Sequence, residues 1–584
     1  MKKILFLLLF ACVASATFAQ RFTDKLDRGL VAVPAKSGSG NLVSWRVFGE
    51  EYYDVTYNLY CDGSKIASNL SVSNFQHTAG TAASKYQVAA VVRGVEQEKS
   101  AAISRWNDGY KQVNLIEPVG RDGKAAGAYY AVNDISVGDL TGNGVVEFII
   151  KRPASDMKDT SQSVHFHHLD CYDIDGNRLW WIDLGPNMSS GPDEQWDAVC
   201  YDWDRDGKAE VLLRVEDGTV IHLNDGSTVE IGDMAVDTRN ILYANELCYT
   251  HGGNEYLLYL EGATGKPYQI GPAEHPDYMD YPLPRLEKSE FNQTVDWAAV
   301  SKYANESAAA AALPAFKAYL TALNNAWGDT SGHRSTKHYW GAPFLDGRKA
   351  SIFLGRGCYT RHKFCAFDVD PATHQLTQLW RWNTYNSSSP WFGNGYHNFA
   401  IGDVDWDGRD EIIFGSMVVD DNGKGLSTTD YGHGDAQHCS DFDPYRAGEE
   451  QFACLEEGRG KYGCNYRNAT TGQIYYKYDA GGDDGRAMMG NFTNSYPGSV
   501  GRSVSSPWIS SVADKTMSEL NGDAFIHWSD LNARIYWDED LLDEFMDSPG
   551  EARQAIVYKP ATMARLTTCV GSLANGSKQV YVFL

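Results

Sequence analysis

Residues 400–415, AIGDVDWDGRDEIIFG, crowd four aspartates and a glutamate into nine positions and then turn apolar. Carboxylates at contact distance repel strongly once partly desolvated, so such a loop calls for a cation among them. Two further stretches share the register, GDLTGNGVVEFIIK from Gly138 and YDWDRDGKAEVLLR from Tyr201. The aligned polar sets are Asp139, Thr141, Asn143 and Glu147; Asp202, Asp204, Asp206 and Glu210; and Asp403, Asp405, Asp407 and Glu411. Alternate side chains with a turn-making glycine at the sixth position begin like an EF-hand calcium loop. The closing acid, however, falls at the ninth position, and FIIK, VLLR or IIFG after it reads as strand. Loops that feed strands point to calcium-binding blades of a β-propeller. A metal-free Asp/Gly turn is the alternative for one copy. Three copies in one register favour the ion.

The elements around these loops read as strands. CYDIDGNRLWWIDLG, LYLEGATGKPYQI, AFDVDPATHQLTQLWRW and YRNATTGQIYYKY each place a turn between two apolar or aromatic runs. Repeated β units of irregular length suit a propeller better than a solenoid of strict period. Residues 20–118 alternate strand and turn without an aspartate loop, which predicts a small β-sandwich of the fibronectin III type before a propeller over 119–584. The clear helical pattern lies in 286–328, an insertion that either covers a blade edge or forms a lid.

Composition sets the surroundings. The chain has 584 residues, 43% hydrophobic and 12% aromatic, enough for a large core and more than one domain. MKKILFLLLFACVASATFAQ reads as a secretory signal, residues 1–19, cut before Gln20. No later run has the roughly 18 uninterrupted apolar residues of a membrane span. The expected location is periplasmic, cell-surface or secreted, and the expected state is a monomer. Ten cysteines remain after the signal, with no zinc spacing and no pairing that sequence can assign. A net charge of −25 argues against a nucleic-acid partner. It would also repel an acidic substrate unless several aspartates hold divalent cations.

Several blocks occur in order: LDRGLVAV, NLVSWRVFG, ISVGDLTGNGVVEFIIK, DIDGNRLWWIDLG, RGCYTR, GYHNFAIGDVDWDGRDEIIFGS, GHGDAQHCSDFDP and YWDEDLLDEF. Together they resemble the rhamnogalacturonan lyases of polysaccharide lyase family 11 over nearly the whole mature chain. The resemblance implies a β-sandwich followed by an eight-bladed propeller with several calcium ions. It also implies β-elimination at the rhamnose-galacturonate bond of the pectin backbone rhamnogalacturonan I. Such a reaction must remove the weakly acidic hydrogen at C5 of galacturonate, beside a carboxylate whose charge a calcium ion can neutralise.

The resemblance further assigns site residues. His397 in GYHNF, His433 and Asp435 in GHGD and Glu456 in CLEEG match a calcium site in the central cleft. Histidine is unusual for calcium, so the likeness carries that set. Arg486 in GGDDGRAMM and Lys578 in LANGSKQ match catalytic blocks. Lys578 is the expected base, since desolvation beside a cation lowers a lysine's pKa, and Arg486 the clamp on the carboxylate. Asn575, Gly576 and Ser577 would contact the sugar.

The chain departs from the family pattern in three places. PNMSSGPDEQWDAVCYDWD replaces an aromatic stretch, and AMMGNFTNSYPGSVGRS replaces an acidic blade loop. After Lys578 only QVYVFL remains. That ending implies either a truncated propeller lacking its last strands or a different closure. Two rival readings follow: a calcium-dependent pectin-binding propeller without turnover, and an adhesin-type calcium propeller, which would have no use for His397, His433, Asp435 and Glu456.

Overall fold

The computed structural model describes residues 21–584 except 37, 49–50, 52–53, 158–162, 189–197, 243–252, 329–334, 459–460, 513–514, 517–532, 538–541, 548–554, 561, 563, 570–578 and 583–584. The expected signal peptide, Lys578 and Asn575–Ser577 therefore lie outside the described residues, as does most of DEQWDAV.

The chain is almost all β. At its start, Val31–Pro34, Asn41–Ser44 and Asn74–His77 form one sheet. Ser64–Leu70, Thr56–Cys61, Lys85–Val92 and Val95–Glu96 form another, with Ile103–Ser104 beside Lys85–Val92. Strand alternation explains their packing: Tyr86, Val88 and Ala90 point inward at every second position and meet Leu59, Val43 and Trp45. This is the expected N-terminal β-sandwich. Lys111–Asn114, which the sequence reading put in the same domain, pairs instead with Gln579–Val582, so the last described strand lies against the first strand beyond the sandwich.

Among the described residues the remainder forms antiparallel sheets, one of six strands and six of four, that follow one another along the chain, except that Thr219–His222 and Thr228–Ile231 return to the six-stranded sheet after the next one has begun. In each of the three aspartate-loop units, the loop joins the first strand to the second. The second strands, Glu147–Arg152, Glu210–Glu216 and Glu411–Phe414, are buried at every position, which is why their sequences run apolar without alternation. Neighbouring loops are stitched together by one recurring hydrogen bond, from the amide just before the second strand to the preceding sheet's loop. Ala209 donates to the Asp139 carbonyl (2.7 Å), Asp410 to Phe344 (3.2 Å), Glu449 to Val404 (3.1 Å), Ser499 to Phe442 (3.0 Å) and Asp543 to Asn491 (2.9 Å).

The helical segment forms as Trp297–Val300, Glu306–Ala312 and Pro314–Trp327. Asn305 caps the middle helix through Ala308 N (2.9 Å), Pro314 opens the last one, and Gly328 ends it at φ 64°. Among the described residues no helix is long and apolar enough to cross a membrane, and Cys61, Cys171, Cys200, Cys358, Cys365, Cys439, Cys454 and Cys464 are free thiols.

Candidate functional site

Strand alternation separates two kinds of site. In the sheet Ala400–Gly402, Glu411–Phe414, Met417–Val419 and Gly425–Thr428, every neighbouring pair is antiparallel. The acidic loop 403–410 therefore lies at one end of the sheet. His397, just before the first strand, and His433 and Asp435, just after the last, lie at the other end. Glu456 sits near the far end of Glu450–Gly458 in the next sheet.

The structure brings His397, His433, Asp435 and Glu456 together, with one ligand atom of each within 4.8 Å of the others. His397 Nε2 is 3.4 Å from Asp435 Oδ1, and His433 Nε2 is 3.0 Å from Glu456 Oε2. His433 Nδ1 lies 2.6 Å from the Gly395 carbonyl, which can only accept, so Nδ1 carries the hydrogen. Its Nε2 lone pair then faces a carboxylate. Two acceptors in contact need a proton or a cation between them. Burial pushes the His433 pKa down to about 3, which disfavours the proton. The donor set thus fits a bound cation. Arg486 reaches the same place, its guanidinium 4.0 Å from Asp435 Oδ2 and half exposed.

Tyr359, quoted in RGCYTR but given no role by the sequence reading, completes this centre. Its hydroxyl is 3.0 Å from His397 Nε2, and its ring centroid is 4.2 Å from that of His433. Buried Cys358 lies 3.6 Å from His433 Nδ1. A lone tyrosine between arginines carries no spacing signal. Only the fold shows its partners.

The acidic loops at the opposite end differ in how well they suit an ion. Asp202, Asp204, Asp206 and Glu210 gather as one group, and so do Asp403, Asp405 and Glu411. Asp407 stays outside its group and accepts from Arg409 N (2.9 Å). Glu411 is fully buried, and its Oε2 accepts from Val404 N (2.8 Å). Its Oε1, like Asp403 Oδ1 and Asp202 Oδ1, is buried without a hydrogen-bond partner. Burial and the surrounding aspartates push Glu411 up to about 8 and Glu210 up to about 9. Uncompensated buried carboxylates of this kind are what a divalent ion would satisfy. The first loop is more self-contained: Thr141 donates its hydroxyl to Glu147 (3.0 Å), and Asp139 accepts from Asn143 N and Gly144 N.

A fourth loop of this build escaped the sequence reading because it is one residue longer. Phe442 N and Asp443 N donate to Glu450 Oε2, both at 3.0 Å, repeating the Val404–Glu411 bond. Here Arg446 pairs with Asp443 at 3.0 Å, bringing the loop a positive charge of its own.

Comparison with known proteins places the chain. Residues 110–275 and 309–580 match the model of the rhamnogalacturonan lyase family 11 C-terminal domain, and 21–106 that of the β-sheet domain of rhamnogalacturonan I lyases. The chain belongs to rhamnogalacturonan lyase family 11. It is 36% identical to the rhamnogalacturonan endolyase YesW of Bacillus subtilis (strain 168), covering 97% of this chain and 81% of the relative. Against the exolyase YesX of the same organism the identity is 33%, over 90% and 78% of the two chains. The solved structure of a Bacillus licheniformis rhamnogalacturonan lyase of family PL11 superposes with a TM-score of 0.73 at 28% identity, covering 97% of this chain and 91% of that one. The crystal structure of YesW gives the same TM-score at 33% identity, with 95% and 84% covered.

Proposed function

We propose that this family member is a lyase that cleaves the rhamnose-galacturonate linkage of rhamnogalacturonan I by calcium-assisted β-elimination. The observation that carries this reading is the centre of His397, His433, Asp435 and Glu456 beside Arg486, on a chain with both endolyase and exolyase relatives. Those four side chains would hold calcium, and the bound ion would withdraw charge from the galacturonate carboxylate as a Lewis acid. Arg486, half exposed and permanently charged, offers paired N–H donors to the same carboxylate. The buried His433 keeps its hydrogen on Nδ1 for the Gly395 carbonyl and so holds Nε2 toward the ligand pocket. Lys578 is the proposed base and Asn575, Gly576 and Ser577 the proposed sugar contacts, on family likeness alone. In the reaction the C5–H bond breaks, its electrons form the C4–C5 double bond, and the C4–O bond breaks, the leaving oxygen taking a proton.

The loops around Asp139, Asp202 and Asp403 are proposed to hold structural calcium at the other end of the sheets. The seven sheets that the described residues form beyond the sandwich, with Lys111–Asn114 against Gln579–Val582, support an eight-bladed propeller closed by that last pairing. Export fits a polymeric extracellular substrate. The test is incubation of the purified protein with rhamnogalacturonan I and calcium, followed by ultraviolet absorbance. The conjugated double bond raises absorbance only if elimination occurs, and chelator should abolish the rise. A flat trace with intact polymer would refute the reading.

A further inference from the structure

The helical segment ends against the stretch that carries Tyr359. Thr360 Oγ1 donates to the Trp327 carbonyl at 3.1 Å, and the Trp327 indole N–H donates to the Arg285 carbonyl. Gly357 has φ +96°, and a Cβ there would lie 2.8 Å from the Trp327 ring and 2.0 Å from the Arg361 carbonyl, so the chain turns there at a glycine. Just past Tyr359, Glu290 takes Arg361 on one oxygen and the Lys363 ammonium on the other, the latter at 3.0 Å. Glu287 stands 3.6 Å from the same ammonium. Lys363 is fully buried and Arg361 nearly so. Buried cations depend on their counter-charges, because removing one partner leaves the other desolvated and alone. The match to the family model passes over residues 276–308, so both carboxylates of this clamp lie outside the matched residues, whereas both cations lie within them.

Between these two anchors Tyr359, with Cys358 beside it, reaches the metal-type centre: its hydroxyl lies 3.0 Å from His397 Nε2 and its ring is tilted against that of His433. We propose that residues 286–328 form a fixed buttress rather than a lid, and that Glu290 is a positioning residue acting through Tyr359 on His397 and His433. The proposal rests on the reading of those histidines as the cation-holding pair of a lyase.

The experiment compares full-length wild type with Glu290→Gln, Glu290→Asp, Thr360→Val and, as an exposed control, Lys288→Ala. Three quantities are read: kcat and KM on rhamnogalacturonan I, the melting temperature, and the calcium response of the assigned His397 and His433 imidazole NMR signals. Glu290→Gln should lower kcat about 10- to 100-fold with KM little changed, the size expected when reacting groups shift by about an ångström. It should also raise the calcium concentration that half-shifts both imidazole signals. Glu290→Asp should recover part of both effects, Thr360→Val should show them more weakly, and Lys288→Ala should show neither. If Glu290→Gln does not fold, Glu290→Asp and Thr360→Val decide. A lowered melting temperature with unchanged kcat and unchanged imidazole titration would overturn the positioning role. An inactive wild type whose imidazoles ignore calcium would instead sink the functional reading beneath it.

Discussion

Replacing Glu411 by glutamine keeps the shape of the third acidic loop but removes its ionisable carboxyl, and the expected effect changes sign with calcium. Glu411 is fully buried, accepts one backbone hydrogen bond, and faces Asp403 and Asp405 with its second oxygen unpartnered. Burial foremost, then Asp405, Asp403 and Asp407, raise its pKa from 4.5 to about 8. A carboxyl raised on folding contributes stability below its unfolded pKa and loses it as pH climbs toward the folded one. The interval from 4.5 to pH 7, at about 1.4 kcal/mol per unit, gives about 3 kcal/mol. Solvent reaching the loop trims this to about 2 kcal/mol. In chelator at pH 7 Glu411→Gln should therefore stabilise the protein by about 2 kcal/mol, and at pH 4 the gain should vanish. In saturating calcium the same change removes a ligand, with a loss of up to about 4 kcal/mol when the ion stands at 1,000 times its dissociation constant. Denaturant unfolding of both proteins, with chelator and with calcium, reads both signs. Destabilisation under both conditions would refute the reasoning, because the buried charge would then have no unmet need for a cation.

Three other outcomes are expected. His433→Gln should weaken calcium binding at the histidine centre by about 10- to 100-fold and lower kcat with it, while leaving the loop-bound calcium stoichiometry unchanged by calorimetry. Arg486→Lys keeps the charge but loses the fork, so kcat/KM should fall about 10- to 100-fold, measured on the same polymer. Gly434→Ala would set a methyl 1.9 Å from the Cys454 carbonyl between His433 and Asp435, so activity should be lost even where circular dichroism shows a folded chain.

The parts legible in the sequence are those written in short-range pattern. Asp202, Asp204, Asp206 and Glu210 could be grouped from spacing alone because the loop is local and its closing glutamate opens a strand buried at every position. The helical segment was legible for the same reason, having a cap at Asn305, a proline at 314 and a glycine at 328. Asp407 and Asp206 accept the same bond, from the amide two residues on, yet only Asp206 gathers with its group, a difference that spacing does not reveal. The loop from Phe442 to Glu450 was missed because one extra residue breaks the register, although its backbone bonds repeat the others. His397, His433, Asp435 and Glu456 span two sheets, so only a known relative could join them in advance. Tyr359 and the Glu290 clamp depend on contacts about 38 and 71 residues apart in the chain, for which sequence offers no local signal.

The claim beneath this account is that a cation sits between His397, His433, Asp435 and Glu456. Anomalous diffraction from crystals grown in calcium tests it directly. The account predicts a peak among those four side chains and further peaks in the loops at Asp202 and Asp403. An ordered cleft with no anomalous signal at the histidines, in crystals whose enzyme is active when dissolved, would contradict it.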